Sequence, residues 1–177
     1  MNCIFLFSGP SKSGKTTLGR KLAKELGLPF ASFGDYVRQE ADRNGLSNPS
    51  SEELQATGQL LARTDMLAFC KAVLKEGGFA VGQGLVVDGV RHLSALSTLQ
   101  ALIPQQPVKL VYLESSVAER VKRSSLNPDQ LQRLDSHSVE SEAGAIRNTA
   151  DFVLNTAGSI NDCFSRLRSW ALQQGAG

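Results

Sequence analysis

Apolar residues along this chain follow two rhythms. Short unbroken runs, such as Cys3-Ile4-Phe5-Leu6-Phe7 and Leu85-Val86-Val87, alternate with stretches where apolar residues recur every three or four positions. The unbroken runs have the length of buried strands, and the spaced ones mark one face of a helix. The first run predicts a strand over Cys3–Phe7. Leu18, Leu22 and Leu26 predict a helix that stops near Leu26, where Gly27 suits a C-cap and Pro29 follows. Leu28–Ser32 reads as a short second strand, with Pro29 tolerable at its first position. Phe33-Gly34-Asp35 reads as a turn, and Tyr36–Arg43 as a helix ended by Asn44-Gly45. Ser50 and Glu53 form a capping box that opens one long helix from Ser51 to about Lys75. Leu54, Leu61, Ala68 and Ala72 lie on its stripe, and Gly77-Gly78 end it.

Leu85–Gly89, Val108–Leu113 and Asp151–Asn155 complete the strands. Ser115 or Ser116 caps a helix carrying Val117, Arg120, Val121 and Arg123, and a last helix carries Ile160, Phe164, Leu167 and Trp170 at core spacing. Strands alternate with helices, and no repeat, linker or low-complexity tract interrupts them. The pattern predicts one α/β domain over residues 1–177 with a mainly parallel sheet.

Composition narrows the partners. A chain of 177 residues can bury a proper core, and 41% hydrophobic with 20% charged residues is ordinary for a globular domain. The net charge of +2 is small and the basic residues are scattered, which argues against a nucleic acid or a membrane surface as partner. Cys3, Cys70 and Cys163 are widely spaced with no C-x-x-C pair, so buried thiols are expected rather than a disulfide or metal site. No apolar run approaches the roughly 18 residues of a membrane span, and the strand leading to Gly9 leaves no room for a signal peptide, so a cytoplasmic protein is expected.

One stretch carries specific chemistry. Gly9-Pro10-Ser11-Lys12-Ser13-Gly14-Lys15-Thr16-Thr17 fits G-x-x-x-x-G-K-[ST] at every defined position, between a predicted strand and a predicted helix. Glycines let such a loop turn its N–H groups inward, and the helix start adds partial positive charge, so a polyphosphate fits there. The candidate nucleotide-binding residues are Gly9, Ser11, Lys12, Ser13, Gly14, Lys15, Thr16 and Thr17. In such a loop Lys15 reaches the β- and γ-phosphates, and the Thr16 hydroxyl ligates Mg²⁺. A chance glycine turn is the bland alternative, and the flanking strand and helix argue against it. ATP and Mg²⁺ are the expected cofactors.

Later segments resemble the nucleoside monophosphate kinase-like branch of P-loop proteins, the adenylate kinase and dephospho-coenzyme A kinase group. Ser32-Phe33-Gly34-Asp35-Tyr36-Val37-Arg38 is similar to that family's Ser-Thr-Gly-Asp segment with an arginine three residues after the acid, Phe33 replacing the threonine. The resemblance implies that Arg38 grips the acceptor's phosphate and that Asp35 lies between acceptor and transferring group. Asp88-Gly89-Val90-Arg91 resembles Asp-Gly-Phe-Pro-Arg shortened by one residue. It implies that Asp88 holds a magnesium-bound water and that Arg91 is a second acceptor-phosphate contact. Arg120 and Arg123 resemble the arginines at the start of the family's lid, with Arg133 as a further lid arginine, and all three would stabilise charge on the moving phosphoryl group. Asn155 and Gly158 fall where relatives place the loop against adenine. The implied architecture is a three-layer α/β/α P-loop kinase fold with a five-stranded sheet, an acceptor-binding region at about 33–76 and a short lid at about 123–136.

Phosphoryl transfer needs alignment of two substrates and positive charge around the moving group, which Lys15, Mg²⁺ and lid arginines supply. A carboxylate such as Asp35 orients or deprotonates an attacking hydroxyl, whereas an attacking phosphate needs no base at neutral pH. The same residues have structural alternatives. Asp35 serves equally as the N-cap of a helix at Tyr36, Arg38 and Arg91 as solvated arginines, and Arg120 and Arg123 as complements to a helix dipole. Asp88 at a central strand end is more constrained, since a buried charge wants a cation. His92 and His137 lie in expected helix starts with surface or capping roles, and Trp170 is expected to pack.

The leading expectation is a magnesium-dependent kinase acting on a small phosphorylated acceptor such as a nucleoside monophosphate, as a monomer or homodimer. A kinase for a small-molecule hydroxyl, of the dephospho-coenzyme A, shikimate or gluconate type, is the second. A nucleotide-binding regulatory module is the third, and the lack of an Asn-Lys-x-Asp sequence disfavours a GTPase switch. Ser124–Asp135 and the segment near Arg43–Glu52 are expected to be mobile without ligand and to close on both substrates.

Overall fold

The apolar run near the N-terminus becomes β1 (Ile4–Ser8), buried at all five positions because strands flank it on both edges. The computed structural model describes residues 2–136 and 140–174. β1 pairs with β3 (Leu85–Asp88) on one edge and with β4 (Val108–Glu114) on the other. β2 (Phe30–Ser32) and β5 (Phe152–Asn155) form the edges, giving the order β2-β3-β1-β4-β5. Every pairing is parallel rather than mainly so. The chain leaves β1 toward the β2–β3 side and returns to the β4–β5 side. Ligand crevices form beyond strand ends where connections diverge in this way.

Alternation along β1 divides the core between the two faces of the sheet. Phe5 and Phe7 pack with Val86, Val111 and Leu113 beneath α1 (Lys15–Leu26) and α9 (Ile160–Gln174). Ile4 and Leu6 pack with Val87 and Leu110 beneath α4 (Met66–Glu76) and α5 (Leu93–Leu102). This makes the three-layer α/β/α arrangement. Trp170 stacks on Phe152 with ring centroids 4.8 Å apart, so it packs as expected. The three cysteines are free and buried.

Three local expectations change. Ser32 caps α2 (Phe33–Arg43) by accepting from the Asp35 N–H at 3.2 Å, so Phe33-Gly34-Asp35 form the first helical turn and Asp35 is not the cap. The long helix divides into α3 (Ser51–Thr64) and α4 at Asp65, which ends the first and caps the second by accepting from the Ala68 N–H at 2.9 Å. The capping box of Ser50 and Glu53 forms as the sequence predicts. Beyond α6 (Val117–Arg123), capped by Ser116, the segment expected to form a lid is largely helical, with α7 (Pro128–Ser136) in it and α8 (Glu140–Asn148) after it. Asn127 accepts from the Gln130 N–H and Gln130 from the Asn127 N–H, each at 2.9 Å, and Pro128 takes the first helical position. His137 lies outside the described residues. No described helix is long and apolar enough to cross a membrane.

Candidate active site

The glycine loop leaves β1 at Gly9, whose φ is +135° and whose position would bring a Cβ to 2.4 Å from the Leu113 carbonyl oxygen. Only glycine lets the loop pass that close to β4. Gly14, at φ +95°, opens α1, so the helix N-terminus faces the loop. The Lys15 ammonium is buried and turned back on its own loop, donating to the Pro10 carbonyl at 2.6 Å and the Ser13 hydroxyl at 3.4 Å. Burial first, then Arg91 and Arg120, push its pKa down to about 7 against the pull of Asp88 and Asp135.

The loop floors a cleft of about 690 Å³ beyond the strand ends. Ser11, Lys12, Ser13, Gly14, Lys15, Thr16 and Thr17 all line it. The Thr16 hydroxyl donates to Asp88 Oδ2 at 2.6 Å, and Asp88 Oδ1 is buried without a hydrogen-bond partner among the described residues. A buried, unpartnered carboxylate oxygen beside a threonine hydroxyl fits a hard, oxygen-seeking cation. Asp88 arrives there because β3 is buried on both faces and ends one residue before Gly89, at φ +89°.

One wall comes from α2, α3 and α4. Phe33, Val37, Leu54, Met66 and Phe69 make it apolar, with the amides of Gln55 and Gln59 and the Arg38 guanidinium among them. Arg91 also lines the cleft and donates to the Ser11 hydroxyl at 3.2 Å; burial lowers its pKa. Asp88 is the only carboxylate among the described lining residues. Asp35 is not among them. Its carboxylate accepts from Arg20 Nη2 at 2.7 Å and pairs with Arg38, while Arg20 also lies 4.6 Å over the Phe30 ring.

The opposite wall holds Arg123, Thr156, Gly158 and Ile160. Arg123 donates to the Thr156 hydroxyl at 3.0 Å and pairs with the Thr156 carbonyl, which ties α6 to the loop after β5. The Asn155 side chain accepts from the Ala157 N–H at 2.8 Å and shapes that loop. Arg120 is 3% exposed and does not line the cleft. Its two terminal nitrogens reach Asp135 at 2.9 and 2.6 Å, and one also reaches the Ser11 carbonyl at 3.3 Å. Arg133 is exposed on α7, outside the lining.

The fold therefore gathers the loop, Asp88, Arg91, Arg38, Arg123 and Gly158 around one cleft, with Arg120 behind the loop. Asp35 and Arg133 stand apart from it. Sequence reasoning missed Arg20 and Asp135, which have no motif of their own and acquire partners only through folding.

Comparisons with known proteins agree with this architecture. A family model described as an AAA domain matches residues 8–142. The chain is 28% identical to the UPF0200/UPF0201 protein of Archaeoglobus fulgidus, over 96% of this chain and 55% of that protein. It is 27% identical to the UPF0200 protein of Aeropyrum pernix, over 90% of this chain and 87% of that one. It is 32% identical to an adenylate kinase of a Synechococcus strain, over 61% of this chain and 59% of that protein. It thus spans little more than half the length of two of these three relatives. Among solved structures, a shikimate kinase from Acinetobacter baumannii in complex with shikimate superposes with TM-score 0.65 at 20% identity, over 100% of this chain and 96% of that one. A gluconokinase from Sinorhizobium meliloti gives 0.59 at 16%, over 98% and 97%. At such identities these two establish the fold alone. A phosphate loop at the head of an all-parallel five-stranded sheet and a family match over most of the chain lead to one conclusion: this protein belongs to the AAA domain family, with a P-loop kinase fold.

Proposed function

We propose that the protein transfers the γ-phosphoryl group of Mg·ATP to a small phosphorylated acceptor, most simply a nucleoside or deoxynucleoside monophosphate. The observation that carries this is Asp88. One carboxylate oxygen is held by Thr16, the other is buried without a partner among the described residues, and Asp88 lines the same cleft as Lys15 and acts on its charge. A buried carboxylate so placed calls for a cation. A magnesium ion held there would supply charge neutralisation for the transferred group. Thr16 and Asp88 are the residues that would hold it, Asp88 through water.

The roles of the chain's own groups follow from their chemistry. Amides of Gly9–Thr17 wrap the phosphate tail, and Lys15 leaves the Pro10 carbonyl to meet it. Arg38 and Arg91 hold the acceptor's phosphate in line with the phosphoryl group, so the reaction is aligned rather than covalently assisted. Arg123 and the Asn155–Gly158 loop border the donor side. The apolar wall with two glutamine amides suits a largely uncharged body on the acceptor.

The engagement of Asp35 by two arginines supports a phosphate rather than a hydroxyl as nucleophile. An attacking hydroxyl needs a base, and Asp35, the carboxylate proposed for that task, is engaged by Arg20 and Arg38. A coupled assay of ADP release across a panel of nucleoside and deoxynucleoside monophosphates tests the reading. Acceptor-dependent release with at least one monophosphate is expected. No such release across the panel, with release on a hydroxyl acceptor or none at all, contradicts it.

A further inference from the structure

Ser11, in the middle of the phosphate loop, is held from two directions: Arg91 donates to its hydroxyl at 3.2 Å and Arg120 to its carbonyl at 3.3 Å. Arg120 is buried, and Asp135 of α7 takes both of its terminal nitrogens, Oδ1 at 2.9 Å and Oδ2 at 2.6 Å. A guanidinium fork matches a carboxylate and a phosphoryl group with the same geometry. Being buried, it also requires a counter-charge at all times. Lys15, Arg91 and Arg120 stand here against Asp88 and Asp135, and the charge of Asp135 is felt at both Lys15 and Arg91.

We propose that Asp135 is a positioning residue: it fills the Arg120 fork in place of phosphoryl oxygens and yields it when a γ-phosphoryl group enters the loop. This rests on the reading of the loop as a Mg·nucleoside triphosphate site and adds to it the group that holds Arg120 beforehand. Asp135 keeps the fork against Ser11, in a fixed position, and keeps α7 attached to the loop. It also opposes a triphosphate in two ways, by competing for the fork and by its own negative charge. A diphosphate lacks the third group and leaves the pair in place. Asp135 therefore sets how strongly the loop distinguishes ATP from ADP.

The test is titration calorimetry of the full chain with Mg²⁺ and a non-hydrolysable ATP analogue, and separately with Mg·ADP. For Asp135→Asn the Kd of the triphosphate is expected to fall about tenfold, because one opposing charge and one competitor are gone, while the Kd of Mg·ADP moves less than about threefold. Asp135→Glu should restore the original ratio. A side chain with only a structural task would weaken both nucleotides together, and that result, or an unchanged ratio, overturns the proposal. Hydrogen exchange on the unmodified protein gives an independent arm that no folding defect can obscure. Amides of Asp129–Ser136 should exchange faster with the triphosphate analogue than with Mg·ADP, and equal or slower exchange overturns the proposal. A chain that binds both nucleotides without these differences contradicts the role of Asp135 alone. One that binds neither contradicts the nucleotide-site reading as well.

Discussion

The Lys15 ammonium sits beside two arginines in a buried position that holds its pKa near 7, against an ordinary 10.5. Between those values the folded chain carries one proton fewer at Lys15 than the unfolded chain, so this residue makes stability rise with pH across that window. Phosphate oxygens on Nζ favour the charged form, so nucleotide binding takes up a proton above about pH 7, and affinity falls as pH climbs toward 10.5. Calorimetry at an alkaline pH, in buffers of different ionisation heat, should show about one proton taken up per nucleotide, and none if Lys15 stays away from the phosphates. Asp35→Asn separates the two kinds of acceptor. A base contributes about 10²- to 10⁴-fold, so a loss well below that range is expected here, and one within it indicates a hydroxyl acceptor. At this scale the loop residues were legible in the sequence because each works through local backbone geometry. Asp88 was legible because it ends a buried run. Asp135 and Arg20 were not, since their partners Arg120 and Asp35 come from other elements and only folding brings them together.

Caps decide the elements around the cleft. Ser32 ends β2 and starts α2 with no loop between, which is why a segment read as a turn is helical. Its hydroxyl holds the first turn of the helix that carries Arg38. Ser32→Ala should cost about 1 kcal/mol and lower the melting temperature by about 2–4 °C. It should also raise the acceptor KM more than the nucleotide KM, and equal effects on both would show that the cap does not position Arg38. Asp65 divides one apolar stripe into two helices. The stripe's periodicity continues across the break, and only the capping geometry of an aspartate at φ −160° reveals it. The segment after α6 follows the same rule. Asn127-Pro128-Asp129-Gln130 is a helix start that the sequence displays, yet the short polar segment lacked the apolar stripe that would have drawn notice to it.

On the scale of the molecule, β1 is the axis: helices pack on both faces of its sheet and the cleft opens beyond its C-terminal end. Strand content and the phosphate-loop fold were readable because buried parallel strands are continuous apolar runs. The order of the strands was not, because it is set by crossovers that leave no local mark. The acceptor wall draws on three helices separated by turns, so its chemistry emerges only once they are packed. The proposed phosphoryl transfer requires a Mg·ATP site at the opening of α1, built on Lys15 and on the Thr16–Asp88 pair. The direct measurement is calorimetric titration of Mg·ATP into the wild-type chain and into Lys15→Ala and Asp88→Asn. The account predicts saturable, magnesium-dependent binding to the wild type and a loss of about tenfold or more in each variant, the order expected when a charged partner or a metal-supporting carboxylate is removed. Wild-type protein that binds no magnesium–nucleotide, or variants that bind it as tightly as the wild type, would contradict it.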